Sequence, residues 1–166
     1  KNKITNVAVE ICYSKDQIKL KFEKNNNFIK LVKENGYKWD GIWSRKLSKT
    51  TGSYKDRVAE IGNKLLNEGF PIMILDEELR NRAIAGEYEK ECTRWIFART
   101  SGKYKGCFAI EWAGYDSSLY DRARSLPGSK WDSAVIVRVE YYKEVQEFAQ
   151  LYGFNLSDGA KQIINE

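Results

Sequence analysis

The sequence reads Gly36-Tyr37-Lys38-Trp39-Asp40 and, 92 positions later, Gly128-Ser129-Lys130-Trp131-Asp132. Glycine, lysine, tryptophan and aspartate occupy the same register in both stretches. Each stretch follows a helix-like segment and leads into a β-branched or aromatic run that ends in an arginine. Tryptophan is a rare residue, so chance explains a matched Gly-x-Lys-Trp-Asp poorly. We therefore interpret the chain as two diverged copies of one unit.

Residues after the motif repeat as well. A helical stripe recurs with the same internal spacing, as Tyr54, Val58, Ile61 and Leu65 in the first copy and as Tyr141, Val145, Phe148 and Tyr152 in the second. The offset between the copies falls from 92 residues at the motif to 87 at this helix. The extra residues of the first copy therefore lie in the intervening loop, where a fold tolerates insertions.

The pattern within each copy predicts both strands and helices. In the first copy, residues 7–13 and 18–22 alternate apolar and polar side chains, which is typical of a hairpin with one apolar and one basic face. A short helix, the motif strand, a longer helix and a final strand follow. We predict an α+β fold of two tandem ββαβαβ-type units, each with its helices on one face of a mainly antiparallel sheet.

We place the first unit at residues 1–75 and the second at residues 92–157. Residues 76–91 predict an acidic helix that connects the units, and residues 158–166 predict the start of a further helix or a linker. The chain has no initiator methionine and ends within a helical pattern, so we expect it to be a piece of a longer protein.

The composition excludes several classes of function. With 42% hydrophobic and 31% charged residues the chain is that of a folded protein, and no apolar run is long enough to cross a bilayer. The absence of histidine excludes Ser-His-Asp and Cys-His catalysis and His-ligated zinc. Cys12, Cys92 and Cys107 form no CxxC pair, so we expect free thiols in a reducing, cytoplasmic compartment and no membrane partner.

The positive charge is concentrated at the start of the chain. Residues 1–72 contain 15 Lys and Arg against 8 Asp and Glu, whereas residues 73–91 contain 3 against 6 and residues 92–166 contain 10 against 9. A basic surface raises both the affinity and the encounter rate for phosphates. The distribution therefore favours a polyanion partner, although lysines that serve only solubility remain an alternative.

The second copy of the motif resembles a known family. The stretch Leu126-Pro127-Gly128-Ser129-Lys130-Trp131-Asp132 resembles the HARP-type domain of annealing helicases and related modules beside superfamily 2 helicase motors in bacteria and phages. The first copy has Glu34-Asn35 in place of Leu-Pro and a later tryptophan, Trp43, where the second has Val135. The resemblance implies an accessory module for DNA repair or replication.

According to the resemblance, each copy binds single-stranded, forked or branched DNA for a helicase motor in cis or in trans. The chain has neither a Gly-x-x-x-x-Gly-Lys-[Ser/Thr] loop nor an Asp-Glu-x-His box, so we expect it to be no enzyme by itself and to need no cofactor. Lys and Arg would neutralise phosphates and aromatic rings would stack on bases. The predicted DNA contacts are Lys38, Trp39, Trp43, Arg45, Lys46, Lys49, Lys55, Arg57, Lys103, Tyr104, Lys105, Lys130, Trp131 and Arg138.

Two interpretations of Trp39 and Trp131 remain open. Each indole either fills the gap between the first helix and the sheet, while the neighbouring lysine reaches water, or stacks on a base. Trp43 has no counterpart in the second copy and lies beside the Asp40-Gly41 turn, so it is the better candidate for an exposed platform.

The densest basic cluster runs from Arg45 to Arg57. Lys19, Lys21 and Lys24, on the polar side of the first hairpin, extend this cluster. Lys103 and Lys105 flank Tyr104 at a predicted hairpin tip, a shape suited to contact with a nucleic-acid backbone.

Two other classes of function remain as alternatives. A protein–protein adaptor would use the acidic helix and the aromatic strands to dock a helicase or replisome component. A metal-dependent nuclease would need Asp40, Asp132 or Glu111 as ligands, but further carboxylates do not converge on them in the sequence. A turn-capping role for the two aspartates is the simpler interpretation, and we predict no metal site.

Overall fold

The structure, a computed structural model, describes residues 7–166. The chain forms two compact units, the first ending at Glu91 and the second beginning at Cys92. Each unit contains one five-stranded sheet together with helices, which confirms the predicted α+β fold of two tandem units. Within residues 7–166, no helix has the length and apolar character needed to cross a bilayer.

The first unit has a mixed sheet. Its elements are, in chain order, β1 (Val9–Ser14), β2 (Gln17–Lys21), α1 (Asn26–Glu34), β3 (Lys38–Trp39), β4 (Trp43–Lys46), α2 (Tyr54–Asn67), β5 (Ile72–Met73) and α3 (Glu77–Ala85). The strands lie in the order β3-β4-β2-β1-β5. Strand β5 pairs with β1 in parallel, whereas the other neighbours pair antiparallel.

The second unit repeats this arrangement. Its elements are β6 (Arg94–Ala98), β7 (Phe108–Trp112), α4 (Ser117–Arg124), β8 (Lys130–Trp131), β9 (Val135–Val137), α5 (Tyr142–Tyr152), β10 (Asn155–Leu156) and α6 (Asp158–Ile164). Read from the corresponding edge, the strand order is β8-β9-β7-β6-β10, and β10 pairs with β6 in parallel. The two sheets therefore have the same topology, strand for strand.

The sequence offers Asn25, Asn26 and Asn27 as N-caps for the first helix of the first unit, and Asp116, Ser117 and Ser118 for that of the second. The structure uses the first residue of each set. The Asn25 side chain accepts a hydrogen bond from the backbone N–H of Phe28 at 3.0 Å. The Asp116 carboxylate accepts one from the backbone N–H of Leu119 at 2.9 Å. Such caps satisfy N–H groups that lack a partner inside the helix.

The motif ends in the same turn in both units. The backbone N–H of Asp40 donates to the carbonyl two residues later at 3.0 Å, and that of Asp132 does so at 2.9 Å. The residue between has a positive φ, +71° at Gly41 and +61° at Ser133. Ser133 is the one non-glycine residue with positive φ among residues 7–166. This conformation costs an L-residue about 1 kcal/mol.

The structure adds two elements to the unit that the sequence predicts. Two strands rather than one separate the first two helices, because the motif forms its own short strand before the turn. A third helix, α3 or α6, ends each unit. The motif strand is too short for a periodic pattern to reveal it as a separate element. The sequence did predict helical segments at residues 76–91 and 158–166, but as a connector and as a further helix or linker outside the units.

Helix α3 is part of the first unit, whereas the sequence suggested a connector. It packs against α2 so closely that a Cβ on Gly62 would lie 2.8 Å from the Cβ of Ala83. Its residues Leu79 and Ala83, four positions apart, are buried on this side. Helix α6, in the segment predicted as a further helix or a linker, packs against β6 and buries Ala160.

Candidate nucleic-acid interface

The first sheet has one face covered by helices and one open face. Buried side chains on the covered face include Ile11, Ile18, Leu20 and Trp43. The open face, as we call it below, is lined by the exposed side chains of Glu10, Cys12, Lys19, Lys21, Lys38 and Lys46. Four lysines against one carboxylate give this face a positive charge.

Strand register brings these lysines together. Lys38 on β3 lies opposite Ser44 on β4, and Ser44 lies opposite Lys19 on β2. Neighbouring strands are about 4.8 Å apart, so the Cα atoms of Lys38 and Lys19 are roughly 10 Å apart across the sheet. Lys21 follows Lys19 on the same face after about 7 Å. The sequence had given Lys19 and Lys21 only as an extension of the predicted cluster. Strand register instead makes them members of the row of lysines on the open face.

The two tryptophans of the first unit differ in their exposure. Trp43 is 8% exposed and lies in the core, because it is opposite Leu20 on the covered face. The prediction that Trp43 forms an exposed platform is therefore wrong. Trp39 is 64% exposed and rests against Trp43, with ring centroids 5.3 Å apart at 56°. Its position on the edge strand leaves most of the indole in solvent.

Lys38 and Trp39 project from opposite faces of the sheet, because successive residues of a strand alternate. Lys38 belongs to the open face with Ser44, whereas Trp39 pairs with Trp43 on the other side. Strand β3 is an edge strand, however, so both side chains are accessible from this edge. A flexible single-stranded nucleic acid that passes around this edge of the sheet can therefore contact both side chains.

Arg45 and Arg57, both predicted DNA contacts, are held inside the unit. The Arg45 Nη2 lies 2.6 Å from Glu91 Oε1, and Arg57 Nη1 lies 3.6 Å from the same oxygen. The Arg57 side chain is 1% exposed, is 3.5 Å from Glu60 Oε1 through Nε, and donates to the carbonyl of Glu89. These two predictions are wrong, because internal carboxylates already pair with both guanidinium groups.

The buried phenol of Tyr37 lies in the field of the same ion cluster. Burial raises the pKa of Tyr37 well above its ordinary value, since the low-polarity surroundings disfavour the phenolate. Its hydroxyl has no hydrogen-bond partner among residues 7–166. Tyr37 lies directly before Lys38, so this core residue and ion cluster support the motif strand.

The remaining basic candidates of the first unit are exposed. Lys46 lies on the open face, opposite Gln17. Lys49 is exposed in a 3-10 turn at Lys49–Thr51, and Lys55 is exposed in the first turn of α2. Lys24 is exposed in the loop after β2. Only the lysines of the open face are brought into one register.

In the second unit, the predicted hairpin tip is folded onto the sheet. Tyr104 is half-buried against a small apolar cluster that contains Ala109 and Ile136, and the Lys103 ammonium lies 5.5 Å from its ring centroid. Tyr104 therefore does not project as a free tip. Lys105 remains exposed.

The motif residues of the second unit are also exposed. Lys130 lies opposite Ile136 at the sheet edge, and Trp131 is 53% exposed, packing edge-on against Tyr120 at 5.5 Å. Arg138 is exposed and paired with Glu140 at 3.0 Å. Neither motif tryptophan fills a gap in the core, so the structure leaves both indoles accessible to a ligand.

The carboxylates proposed for a nuclease do not form a cluster. Asp132 accepts from the Arg99 guanidinium, with Nη1 3.1 Å from Oδ2, rather than capping its turn. Among residues 7–166, no group of three or more His, Cys, Asp or Glu residues is arranged to hold a metal ion.

Comparison with known proteins adds no relative. No protein-family model matches the chain, and no curated protein or solved structure matches it either.

Proposed function

We propose that the chain is a DNA-binding accessory module, without catalysis of its own, that holds single-stranded or forked DNA for a helicase motor in cis or in trans. The observation that carries the proposal is the row of lysines on the open face of the first sheet, Lys19, Lys21, Lys38 and Lys46. The similarity of both motif stretches to HARP-type modules supports the same class of ligand.

In this proposal the lysines provide affinity and Trp39 provides the preference for unpaired bases. Each lysine neutralises one phosphate and releases condensed counterions. Trp39 presents an indole whose orientation is already fixed by Trp43, so little side-chain entropy is lost when a base stacks on it. A duplex keeps its bases stacked internally and cannot use this platform.

The test is fluorescence anisotropy of labelled single-stranded, duplex and forked DNA between 50 and 200 mM NaCl. If the four lysines each neutralise one phosphate, the slope of log affinity against log salt is about −3 for a single strand, or roughly a 50-fold loss over this range. The variant Lys19→Ala, Lys21→Ala, Lys38→Ala, Lys46→Ala should lose nearly all of this salt-dependent affinity.

A charge-matched control separates a specific site from net charge. Four exposed lysines outside the sheets, Lys30, Lys33, Lys90 and Lys143, are replaced by alanine in the control. The proposal requires the control to retain the wild-type slope. Equal losses in both variants would show that only net charge matters, and no binding by the wild type at 50 mM NaCl would refute the DNA module.

A further inference from the structure

The second unit contains a cavity of about 630 Å³ that the proposed DNA interface does not use. It lies between the end of β7, the beginning of α4 and the motif turn. Its volume is within the range of ordinary small-ligand sites. The side chains that give it chemical character are of two kinds, aromatic rings and carboxylates.

The aromatic rings of the cavity are unusually accessible. Trp112, Tyr115, Tyr120 and Trp131 line it. Tyr115 is 94% exposed, and Trp131 is 53% exposed with its ring set edge-on against Tyr120. Exposed aromatic groups around a concavity are typical of binding sites, because the ring faces can still gain contacts with a ligand.

The carboxylates of the cavity give it a negative charge that nothing in its wall balances. Glu111, Asp116 and Asp121 line it, and no Lys or Arg does. Within residues 7–166, Glu111 and Asp121 form no ion pair, whereas the nearby Asp132 is paired with Arg99. Asp116 accepts the N–H of Leu119, so the beginning of α4 is already capped and does not attract an anion.

Three cations lie close to lining residues in sequence, Arg122, Arg124 and Lys130, and none of them lines the cavity. Arg124 donates to the Tyr120 hydroxyl at 2.8 Å and its guanidinium lies 5.7 Å from the centroid of that ring, but Arg124 does not line the cavity. This pairing also shows that the Tyr120 ring accommodates a guanidinium. The cavity itself therefore combines π faces with uncompensated carboxylates.

We propose that this cavity binds the arginine side chain of a basic peptide segment from a partner protein. A cation is favoured over nucleic acid because three carboxylates repel phosphates. Arginine is favoured over lysine because its planar guanidinium stacks on aromatic faces and at the same time forms paired hydrogen bonds with a carboxylate. The second unit thereby docks a protein, whereas the first holds DNA.

The experiment titrates the full chain with three blocked tripeptides, acetyl-Gly-Xaa-Gly-amide, in which Xaa is arginine, lysine or citrulline. Citrulline has nearly the shape of arginine but no charge. Binding is followed by the indole N–H signals of Trp112 and Trp131 in nitrogen–proton correlation spectra. We expect the arginine peptide to bind at least tenfold more tightly than the citrulline peptide and more tightly than the lysine peptide.

Paired variants locate the site. Glu111→Gln with Asp121→Asn should reduce arginine binding at least fivefold, and Tyr115→Ala should reduce it as well. The control Glu144→Gln with Glu147→Gln removes the same charge from exposed positions of α5 outside the cavity and should bind like wild type. All five substitutions are at exposed side chains, so the fold is expected to survive.

Three results would overturn the proposal. Equal affinity for arginine and citrulline would show that the cavity does not select charge. Displacement of the peptide by a short oligothymidylate at the Trp131 signal would assign the cavity to nucleic acid. Equal losses in the cavity pair and in the α5 pair would reduce the effect to net charge. The lysine variant of the open face should leave peptide binding unchanged, which separates this proposal from the DNA interface.

Discussion

The two units have the same strand order but differ on the open face of the sheet. In the first unit this face is lined by lysines in cross-strand register. In the second unit Lys130 matches Lys38, but Ala109 and Glu111 take the places of Lys19 and Lys21. Trp95 and Phe97, with stacked rings 6.1 Å apart, and the buried Ile136 lie on the same face. Side chains on the covered face determine the fold, so the open face can diverge without changing it. A repeated topology therefore need not mean a repeated function.

The two units also differ in the aromatic ring that packs against the motif tryptophan. Trp39 rests on Trp43, a core residue of the neighbouring strand, whereas Trp131 rests on Tyr120 from α4, because Val135 replaces the second tryptophan. The support in the first unit fills the core, and in the second unit it borders a cavity. The tryptophan of the same motif therefore lies on an open surface in the first unit and lines a cavity in the second.

The largest expected effect comes from exchanging this support. Trp43→Val places the residue of the second unit in the first and leaves a large cavity in the core, so we expect the free energy of unfolding to fall by about 3 kcal/mol. Trp39→Ala should change stability by less than about 1 kcal/mol, because the ring is mostly in solvent, yet weaken single-stranded DNA binding roughly tenfold. Urea unfolding and anisotropy measure the two effects.

This pair of variants tests the assignment of roles directly. If Trp39→Ala destabilises as much as Trp43→Val, the exposed ring is structural and the platform is not the DNA contact. If Trp39→Ala leaves affinity for single strands unchanged while the lysine variant abolishes it, binding is electrostatic alone.

The second prediction compares Arg57, in the buried ion cluster of the first unit, with Glu144, the matching residue of the second unit. Arg57 directly precedes Val58 in α2, and Glu144 precedes the matching Val145 in α5, but Arg57 is buried and Glu144 is exposed. Arg57→Leu should cost about 3 kcal/mol, because Glu60 and Glu91 lose a buried partner. Glu144→Leu should cost less than about 0.5 kcal/mol.

Hydrogen exchange resolved by peptide measures where each of these losses falls. Faster exchange in the first unit alone is expected for Arg57→Leu. Retention of wild-type stability by this variant would instead return Arg57 to the list of possible DNA contacts.

Sequence patterns predicted the fold well, because its signals are local. The N-caps at Asn25 and Asp116, the motif turn and the apolar alternation of the first hairpin all depend on neighbouring residues. The site was predicted less well, because its members depend on distant partners. Arg45 pairs with Glu91, 46 residues away, and nothing in the sequence near Arg45 reveals this.

The accessible side chains were also hard to predict. Whether a tryptophan is core or surface depends on whether its strand lies inside the sheet or at its edge, as Trp43 and Trp39 show. The cavity of the second unit is formed by three segments that are separate in sequence, and Tyr115 belongs to no periodic pattern. By contrast, the lysines of the first hairpin were recognisable from alternation alone.

The smallest effect concerns Tyr37, whose position in the second unit is occupied by Ser129. The pKa of the buried Tyr37 phenol is raised above its value of about 10 in the unfolded chain. The folded state therefore keeps a proton that the unfolded state releases above pH 10, so stability is present in full below pH 10 and is lost as the pH rises beyond it. Between pH 8 and pH 11 this amounts to about 1 kcal/mol.

The variant Tyr37→Phe isolates this contribution from the other tyrosines. At pH 8 we expect nearly wild-type stability, because the hydroxyl has no hydrogen-bond partner among residues 7–166. At pH 11 the variant should be more stable than wild type by about 1 kcal/mol, as measured by urea unfolding. If the wild type and the variant lose the same free energy of unfolding between pH 8 and pH 11, Tyr37 reaches solvent or ionises in the folded state. The phenol would then not be part of the buried core beneath the motif strand. The second unit has serine at this position, so it should not lose stability above pH 10 for this reason. Hydrogen-exchange rates in the two units should therefore diverge above pH 10.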